Sequence, residues 1–419
     1  MATSDLFRAP IGTKDVLGVE SRSWQAVISK FAYRAHLYNY DLIINPTFEN
    51  YEVFSRVGED TDIVTKEMYD FRDKGDRHIS LRPEGTAQVA RAFAQHRPQI
   101  PFKAWYMISN FRYERPQKGR LREHHQFGIE ALGIEEPEID VEIIQFADEF
   151  LRDCGLSNFT LTINSLGDSE ARAVHMEKLR DYFSKYEADL GEEFAARVKR
   201  NPLRVLDTKV PEWQDMANGA PSILDYLSTP SRDDFEYLKS ELTSRSIAFE
   251  VVPRMVRGLD YYNNTIFEFV SHALDAAQST VCAGGRYSKL VAMMDGPETP
   301  GIGFSTGIER LLMAAENENA EFNLRTLDVF FVDLVRNDES RKISYELMST
   351  LRASGYSVDC TYGPKSMKSA MKNADRSEAK FAALLGDSEL SRGVVALKNM
   401  ESGEQRELPI LDVVKAISN

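Results

Sequence analysis

The sequence predicts an α+β protein in which a body of strands and helices is interrupted by a helical insertion and followed by a C-terminal α/β domain. Three observations support this prediction. Between residues 78 and 135 short apolar runs alternate with turns, as in a series of strands. Between residues 169 and 247 the chain is charge-rich and helical, with breaks at proline and glycine. From about residue 326 strand and helix patterns alternate, which is typical of a small, largely parallel sheet.

The first predicted element is an amphipathic helix over about residues 21–40, because apolar residues recur there at helical spacing. The segment DLIINPTFE follows and is predicted to be one strand interrupted at Pro46, since proline cannot donate a ladder hydrogen bond. Strands are next predicted at HISLRPEGT, WYMISNFRYE and HHQFGIEALG, with a helix over residues 86–94 between the first two. A helix over about residues 138–152 and a strand over residues 159–164 complete this part.

After the insertion, strand patterns resume at IAFEVVPRMVRG and NTIFEFV. The tail is predicted to run from the strand LDVFFVDL through a helix over about 339–353, the strand YSVDCT, a helix from about residue 365 and the strand FAALLG. On that last helix a basic stripe lies opposite an apolar face. A solvated outer face and an RNA-contacting surface both explain such a stripe. Its members are Lys365, Lys368, Lys372 and Arg376.

Composition excludes several classes of protein. The 419 residues correspond to about three domains, and 42% hydrophobic with 28% charged residues is ordinary for a chain that builds a core. No apolar leader and no run of about 18 apolar residues is present, so we expect neither secretion nor a membrane span. The three cysteines are far apart and form no CxxC, which predicts a reduced, cytoplasmic protein without a cysteine zinc site.

Charge is distributed unevenly along the chain. The net charge of −14 argues against a protein that coats nucleic acid non-specifically. From Leu327 onward there are 13 Lys and Arg against 14 Asp and Glu, so this part carries −1 and the rest of the chain −13. The difference predicts a domain boundary near residue 326.

The most basic segment is NFRYERPQKGRLREHHQFGIE, residues 110–130. Two strands joined by a loop rich in guanidinium groups would direct them at a multiply charged anion, most naturally a phosphate chain. The alternative is a solvated charged hairpin. The basic residues are Arg112, Arg115, Lys118, Arg120 and Arg122, with Glu114 as the acid among them.

Three further segments carry candidate chemistry. In RGLDYYNNTIFEFV, adjacent strand residues face opposite sides, so one of Tyr261 and Tyr262 would line a pocket while the other packs, unless both belong to the core. CAGGRYSKLV is a turn in which paired glycines allow close backbone approach. PGIGFSTGIERLLM is a strand-to-helix passage that delivers Glu309 and Arg310, or a generic close-packed joint.

Histidines give no metal-binding pattern. No HExxH or similar spacing occurs, and His124 and His125 on one strand would face opposite sides, so we expect no structural metal.

Taken in this order, these segments resemble class II aminoacyl-tRNA synthetases, and among them the histidyl-tRNA synthetase family in its bacterial form. FRYERPQKGR is similar to motif 2, GIGFSTGIER to motif 3, and the first helix with NPTFE to motif 1. RGLDYY and GGRY resemble the two histidine-specific signatures, and RPEGT the amino-acid-binding element. The sequence departs from the family pattern in two places: Ser288-Lys289 follows GGRY instead of Asp-Gly, and His124 replaces a phenylalanine.

The resemblance implies a fold and a reaction. It implies an antiparallel class II catalytic core flanked by helices (1–168 and 248–325), a helical insertion (169–247) and a C-terminal α/β anticodon-binding domain (326–419). The protein would be a homodimer through motif 1. It would activate L-histidine with ATP, accompanied by Mg²⁺, and transfer it to tRNA(His).

The resemblance also implies roles for individual residues. Arg257 and Arg112 would be catalytic, with Arg257 standing where relatives hold a metal ion. The ATP-binding residues would be Arg112, Glu114, Arg120, His124 and Arg310. The histidine-binding residues would be Glu84, Thr86, Gln126, Glu130, Arg257, Tyr261, Tyr262 and Tyr287. The tRNA-binding residues would be Gln117 and Arg122, placed near the tip of the motif 2 loop, with Lys365, Lys368 and Lys372 in the tail.

Two other functions are compatible with the same catalytic fold. A regulatory subunit of ATP phosphoribosyltransferase typically lacks the tail domain and degrades RGLDYY and the motif 2 arginines, all of which are intact here. A stand-alone amino-acid ligase would use the same adenylate without tRNA, and the tail domain and the complete RPQKGR loop argue against it.

Overall fold

The computed structural model describes residues 7–56, 58, 61, 63–208, 210–258, 261–275, 278–322 and 326–418. The chain divides into two compact units, Met1–Phe322 and Asn323–Asn419. Among the helices of the described ranges, none is both long enough and apolar enough to cross a membrane. The boundary predicted at residues 325 and 326 adjoins residues 323–325, which lie outside the described residues.

Strands of the first unit form two sheets. The strands are β1 (Asp41–Leu42), β2 (Phe48–Asn50), β3 (Asp70–Arg72), β4 (His78–Leu81), β5 (Phe102–Phe111), β6 (Glu123–Leu132), β7 (Phe159–Ser165), β8 (Phe249–Val251), β9 (Asn263–Ser271), β10 (Thr280–Tyr287) and β11 (Gly301–Gly307). Eight of them form a sheet in the order β1-β5-β6-β11-β10-β9-β7-β8, and the others form a small sheet in the order β2-β4-β3. In the large sheet only the edge pairs β1–β5 and β7–β8 are parallel. The antiparallel sheet flanked by helices, expected from the resemblance, is therefore confirmed.

The helices of this unit are α1 (Gly18–Leu37), α2 (Glu52–Ser55), α3 (Thr86–His96), α4 (Glu138–Asp153), α5 (Ser169–Phe183), α6 (Glu187–Arg200), α7 (Leu203–Leu206), α8 (Pro211–Asn218), α9 (Thr229–Ser244), α10 (Leu290–Met293) and α11 (Ile308–Asn317). Side chains of α1, α4, α9 and α11 bury one face of the large sheet. At its centre Phe31 stacks on Phe127 with ring centroids 4.5 Å apart and meets Phe150 edge-on. On the opposite face, side chains of α2, α3 and α10 form a second apolar cluster with part of the sheet, and the polar residues described below lie on the remainder.

Residues 169–247 form the helical segment that the sequence predicts. Helices α5 to α8 enclose a core of their own, built around Phe183, Phe194 and Trp213. Val256, which lies between β8 and β9, packs against that core. The segment is therefore in contact with the chain that leads into β9.

The second unit contains a five-stranded sheet, β13-β12-β14-β15-β16. Its strands are β12 (Val329–Asp333), β13 (Val358–Cys360), β14 (Phe381–Leu385), β15 (Val394–Asn399) and β16 (Gln405–Pro409). Its helices are α12 (Asp338–Ala353), α13 (Met367–Arg376), α14 (Asp387–Arg392) and α15 (Val413–Ser418).

Two sequence predictions of local structure are wrong. DLIINPTFE is not one interrupted strand, because β1 pairs with β5 whereas β2 pairs with β4 in the other sheet. Between them Arg82 donates to the carbonyls of Asn45 and Pro46. These backbone acceptors are therefore bonded to a side chain and not to a neighbouring strand. The C-terminal sheet is mixed and not largely parallel, since β15 and β16 add antiparallel strands.

Candidate active site

One cavity lies on the face of the large sheet opposite α1, α4, α9 and α11, and residues from widely separated motifs meet there. It is bounded by the start of α3, the loop between β5 and β6, the segment before β9, and the ends of β10 and β11. The predicted site residues that line it are Glu84, Thr86, Arg112, Glu114, Arg120, His124, Gln126, Arg257, Tyr261, Tyr262 and Arg310.

Strand alternation explains how β6 contributes to both sides of the sheet. Phe127 and Ile129 enter the apolar core, whereas His124 and Gln126 line the cavity. Glu130 continues the same polar face. Glycine is required between them at Gly128, where a Cβ would fall 2.2 Å from Cζ of Tyr106.

Arginine side chains occupy one end of the cavity. Arg112 donates from Nε to the Pro83 carbonyl (2.9 Å), and Arg310 donates to the carbonyls of Gly119 and Thr280 (both 3.2 Å). Arg120 forms an ion pair with Glu114. Burial lowers the pKa of Arg112, and burial together with the charges of Arg120 and Arg112 lowers that of Arg310. Partly buried cations that are bonded to neutral carbonyls, as Arg112 and Arg310 are, are stabilised by an anion, so this end suits a phosphate chain.

His124 lies among these arginines as a neutral ring. Burial and the charges of Arg112 and Arg310 hold its pKa well below the usual value. The next residue, His125, faces the other way, as strand alternation predicts. Its backbone N–H (3.1 Å) and Nδ1 (2.8 Å) both contact the Glu309 carboxylate, and its ring meets Trp24 edge-on. An uncharged imidazole can stack on an aromatic base without adding to the local positive charge.

Glu84 is fixed at the start of α3. Its two carboxylate oxygens accept from the backbone N–H groups of Thr86 (2.9 Å) and Ala87 (2.8 Å), and the Tyr261 hydroxyl donates to it at 3.5 Å. Burial raises the pKa of Glu84, although these N–H donors oppose that effect. The carboxylate therefore faces the cavity from a rigid support and can attract a cationic group.

A second carboxyl group lies behind the cavity wall. Glu130 is fully buried and accepts hydrogen bonds from the hydroxyls of Tyr287 (2.6 Å), Thr86 (2.7 Å) and Tyr106 (3.2 Å). Burial raises its pKa to about 8. Gly303 is needed opposite, because a Cβ there would lie 1.9 Å from its Oε2.

Two predicted histidine-binding residues, Glu130 and Tyr287, are thus not part of the cavity lining. They are connected to it through Thr86 and Tyr106, which do line it. Gln126 lines it directly, and its Oε1 accepts from the Asn110 side chain at 2.6 Å.

Arg257 enters the cavity from the segment before β9. Its Nη1 donates to Oε1 of Glu268 (2.5 Å), and Thr280 donates to the other carboxylate oxygen (3.1 Å). Its guanidinium carbon lies 5.1 Å from the Tyr262 ring centroid. Burial acts to lower the pKa of Arg257, but Tyr262 and Glu268 outweigh it and leave the pKa raised. The group is a permanent cation.

Glu268 was not among the residues that the sequence predicts for the site. The only signal was a lone carboxylate within the apolar strand sequence IFEFV. Its function in the cavity depends on Arg257, in the segment before β9, and on Thr280, on the neighbouring strand β10, and strand pairing brings these groups together.

Tyr261 and Tyr262 do not alternate between pocket and core, whereas the assignment of both to the histidine site, implied by the resemblance, stays a prediction. Both rings are buried and both line the cavity, with centroids 4.5 Å apart. The reason is that β9 begins at Asn263, so strand alternation does not apply to the two tyrosines. Leu259 and Asp260 of the same motif lie outside the described residues.

Two residues of the GGRY signature have different functions. Tyr287 donates to Glu130 behind the cavity, whereas Arg286 has a structural function. Arg286 does not line the cavity and instead holds α4 and the loop before it, donating to Asp140 (2.6 Å) and to the carbonyls of Ile134 and Glu136. Ser288, where the family pattern has aspartate, accepts from the Asn263 side chain at 2.8 Å.

Two of the expected tRNA-binding residues on the motif 2 loop lie in different places. Gln117 is exposed at the tip, where its backbone pairs with that of Arg120. Arg122 is not near the tip, because it stacks on Tyr113 (4.0 Å) at the base of the loop and donates to the Glu114 carbonyl.

In the second unit the basic stripe is shorter than predicted. Helix α13 begins at Met367 and is capped by Ser366, so Lys365 precedes the helix. Lys368 and Lys372 are exposed on α13, opposite the buried Ala370 and Ala374.

An antiparallel sheet with an arginine-lined cavity, together with a separate mixed α/β unit, is the architecture expected of a class II aminoacyl-tRNA synthetase. Residues 12–311 match the family described as histidyl-tRNA synthetase, and residues 328–419 match the family described as anticodon binding domain. The chain belongs to the histidyl-tRNA synthetase family.

Similar proteins span the same length. The chain is 47% identical over 403 residues to the histidine–tRNA ligase of Streptococcus sanguinis, covering 94% of each chain. It is 44% identical over 416 residues to that of Lactiplantibacillus plantarum, covering 97% of each. The crystal structure of apo S. aureus histidyl-tRNA synthetase superposes with a TM-score of 0.82 at 35% identity, covering 99% of this chain and 100% of that one.

Proposed function

We propose that the cavity carries out both steps of histidine–tRNA ligation. In the first step a carboxylate oxygen of L-histidine attacks the α-phosphorus of ATP, and the bond to the bridging oxygen of the β-phosphate breaks. Histidyl-adenylate and pyrophosphate result. In the second step a hydroxyl of the terminal ribose of tRNA(His) attacks the carbonyl carbon, and AMP leaves.

A single observation carries this proposal: four guanidinium groups and the fixed carboxylate of Glu84 face one cavity. Arg112, Arg120, Arg257 and Arg310 line it together with Glu84. The other carboxylates of the lining already contact protein groups, which are Arg120 for Glu114, Arg257 for Glu268 and His125 for Glu309. ATP brings several negative charges, whereas an amino acid brings one ammonium and one carboxylate group. The cavity therefore offers complementary charge to both substrates at once.

Arg257 has the properties required to stabilise the transition state. Negative charge develops on the α-phosphoryl group during in-line transfer, and a cation fixed in place beforehand stabilises it without reorganisation. Glu268 and the Tyr262 ring hold Arg257 in the cavity. Arg112, fixed by the Pro83 carbonyl, is proposed as the second contact of the α-phosphate.

The remaining ATP contacts follow from the arginine end. Arg310 and His124 are proposed to enclose the adenine ring, which Glu114 contacts at its edge, while Arg120 reaches the departing pyrophosphate. ATP enters with Mg²⁺ as part of the substrate, bound to the β- and γ-phosphates. Among the described residues no group of three or more His, Cys, Asp or Glu side chains could hold a metal.

Histidine recognition is proposed at the tyrosine end. Glu84, Thr86 and Gln126 hold the α-ammonium group, while Glu130 and Tyr262 meet the two ring nitrogens, with Tyr261 and Tyr287 completing the pocket. A site whose buried groups need a polar partner rejects isosteres strongly, because those groups are otherwise left unpaired. For Glu130 to act directly, Thr86 and Tyr106 have to yield some of its acceptor capacity to the substrate.

The test is amino-acid-dependent exchange between ATP and labelled pyrophosphate, run with each of the twenty amino acids. We expect exchange with histidine alone, because only an imidazole satisfies both Glu130 and Tyr262. Charging of tRNA(His) is measured in parallel. Exchange without charging would indicate an amino-acid ligase, and the lack of both would indicate a regulatory subunit.

The three predicted domains are proposed to have separate functions. Residues 1–168 and 248–325 form the catalytic core, residues 169–247 the insertion, and residues 326–419 bind the anticodon arm. The match of residues 328–419 to an anticodon binding domain supports the last assignment. Gln117, exposed at the tip of the motif 2 loop, is proposed to contact the acceptor end of the tRNA, and Arg122 to support the base of that loop. The cytoplasm is the proposed compartment because the substrate is tRNA.

A homodimer is also proposed. Ile44 (84% exposed), Leu42 (54%) and Phe48 (55%) are large apolar residues on or beside β1 and β2, which are edge strands of the two sheets. Exposed apolar sheet edges favour pairing with another chain. Light scattering at micromolar concentration should give twice the chain mass, and Ile44→Lys should shift the protein toward monomer. A monomeric wild type with full activity would exclude this interface.

A further inference from the structure

The helical insertion donates two hydrogen bonds to backbone carbonyls that follow Arg257. Arg204, on α7, donates from Nη2 to the Gly258 carbonyl at 3.1 Å. Arg172, on α5, donates from Nη1 to the Tyr262 carbonyl at 3.0 Å. The accepting carbonyls belong to the residue after Arg257 and to a tyrosine that lines the cavity.

Packing connects the same two parts of the chain. Val256, the residue before Arg257, packs against the insertion core that includes Leu203 and Trp213. On the other side, the core strand β7 holds the start of the segment, since the Asn164 side chain donates to the carbonyls of Pro253 and Met255. The segment is thus supported by the sheet up to residue 255 and by the insertion from residue 256 onward.

This arrangement leaves Arg257 dependent on the insertion. Its side chain is anchored by Glu268, but its backbone is followed at once by Gly258, which has no Cβ and adds no packing of its own. A guanidinium that stabilises a transition state has to be placed to a fraction of an ångström. A backbone free to shift at Gly258 would pull Arg257 away from the reacting phosphorus even with its ion pair intact.

We infer that Arg204, supported by Arg172, is a positioning residue for adenylate formation. It acts through the Gly258 carbonyl on Arg257, so that the helical insertion forms part of the machinery of the first, tRNA-independent step. The inference rests on the proposed function, because it presupposes that Arg257 stabilises the transition state.

The experiment is pyrophosphate exchange with the full chain, without tRNA, for Arg204→Met and Arg204→Lys. Methionine keeps an apolar side chain but removes the donor, whereas lysine retains one. We expect kcat to fall about fivefold to tenfold in Arg204→Met, the size of one hydrogen bond removed from the transition state. The KM values for histidine and ATP should change less than twofold, and Arg204→Lys should recover part of the loss.

A matched control is Arg200→Met, which removes an equal charge from an exposed arginine at the end of α6. We expect it to exchange at the wild-type rate. Thermal unfolding of every variant shows whether each remains folded. An equal loss in Arg200→Met, or unchanged kcat in a folded Arg204→Met protein, would overturn the inference.

The decisive measurement is a double-mutant cycle with Arg257→Ala. If Arg204 acts through Arg257, adding Arg204→Met to Arg257→Ala should lower kcat no further, whereas independent effects would multiply. A normal rate in Arg257→Ala would overturn the catalytic role of Arg257 and this inference together. A slow Arg257→Ala enzyme with multiplicative effects would overturn this inference alone and leave the proposed function standing.

Discussion

The two ends of the cavity differ in how their ionisable groups are stabilised. At the arginine end, Arg112 and Arg310 are partly buried cations that donate to main-chain carbonyls. At the tyrosine end, Glu130 is a buried acid whose oxygens are already occupied by three hydroxyls. One end carries charge that calls for a ligand, and at the other end the hydroxyls that hold Glu130 have to give up part of its acceptor capacity when histidine binds.

The difference explains how one cavity can accept two unlike substrates. A phosphate chain is bound by net charge. Cations that have no carboxylate partner therefore strengthen its binding at the arginine end. A neutral ring is selected by hydrogen bonds, so its end must present donors and acceptors in fixed positions. The prediction is that mutations at the arginine end change rate, and those at the tyrosine end change substrate affinity.

The largest effect is expected for Arg257→Ala. Transition-state charge loses its fixed partner, so kcat for pyrophosphate exchange should fall by about 10²-fold to 10³-fold with the fold retained. The measurement is exchange at saturating histidine and ATP, with circular dichroism to verify folding. A rate within a few-fold of wild type would remove Arg257 from the catalytic role.

The second-largest effect is expected at the tyrosine end of the cavity. Glu130→Ala should raise the KM for histidine about tenfold to hundredfold, because an imidazole N–H loses its acceptor and the Tyr287 hydroxyl is left unpaired. The KM for ATP, measured in the same variant, is the internal control and should change by less than threefold. Equal changes in both constants would mean that the two ends are not separate binding regions.

A smaller effect tests whether positive charge outside the cavity serves tRNA binding and not adenylate formation. Replacing Lys365, Lys368 and Lys372 by alanine should weaken tRNA(His) binding and lower the salt slope by about 0.9 for each phosphate that is no longer neutralised. Pyrophosphate exchange should be unchanged, since it needs no tRNA.

A variant with the same net charge controls for this result. In it Lys342, Lys398 and Lys415, which also belong to the second unit, are replaced by alanine. We expect its salt slope to match that of the wild type. Identical slopes for both triple variants would show that the Lys365 to Lys372 stripe is a solvated face.

The smallest effect concerns the pH dependence of stability. The folded protein raises the pKa of Glu130 to about 8 through burial, against the ordinary carboxyl value of 4.5. Between these values the folded state keeps a proton that the unfolded chain releases. The stabilisation from Glu130 is therefore complete below pH 4.5 and is lost as the pH rises toward 8.

Glu130→Gln removes this titration while keeping the shape of the neutral acid. Its Tm relative to wild type should rise by a few degrees between about pH 5.5 and about pH 8.5. Scanning calorimetry at several pH values measures the difference. A Tm difference that stays constant with pH would mean that Glu130 is ionised throughout this range.

Much of the fold could be predicted because it depends on neighbours along the chain. The helix over residues 138–152 and the strand over 159–164 were placed within a residue of α4 and β7. Alternation along β6 was enough to put His124 and His125 on opposite faces. Where the local pattern was ambiguous, as around Pro46, the prediction failed because the choice of partner strand is made by residues elsewhere in the sequence.

By itself the sequence determined the periodic elements, the motifs and therefore the family. Only the tertiary structure decided that Glu268 holds Arg257, that Glu130 lies behind Thr86 instead of in the open cavity, and that Arg204 reaches Gly258 from the insertion. The physical reason is the separation along the chain between the residues that interact. Periodicity follows from the geometry of consecutive residues, whereas hydrogen-bond partners distant in sequence are set by register and packing, which no short stretch of sequence encodes.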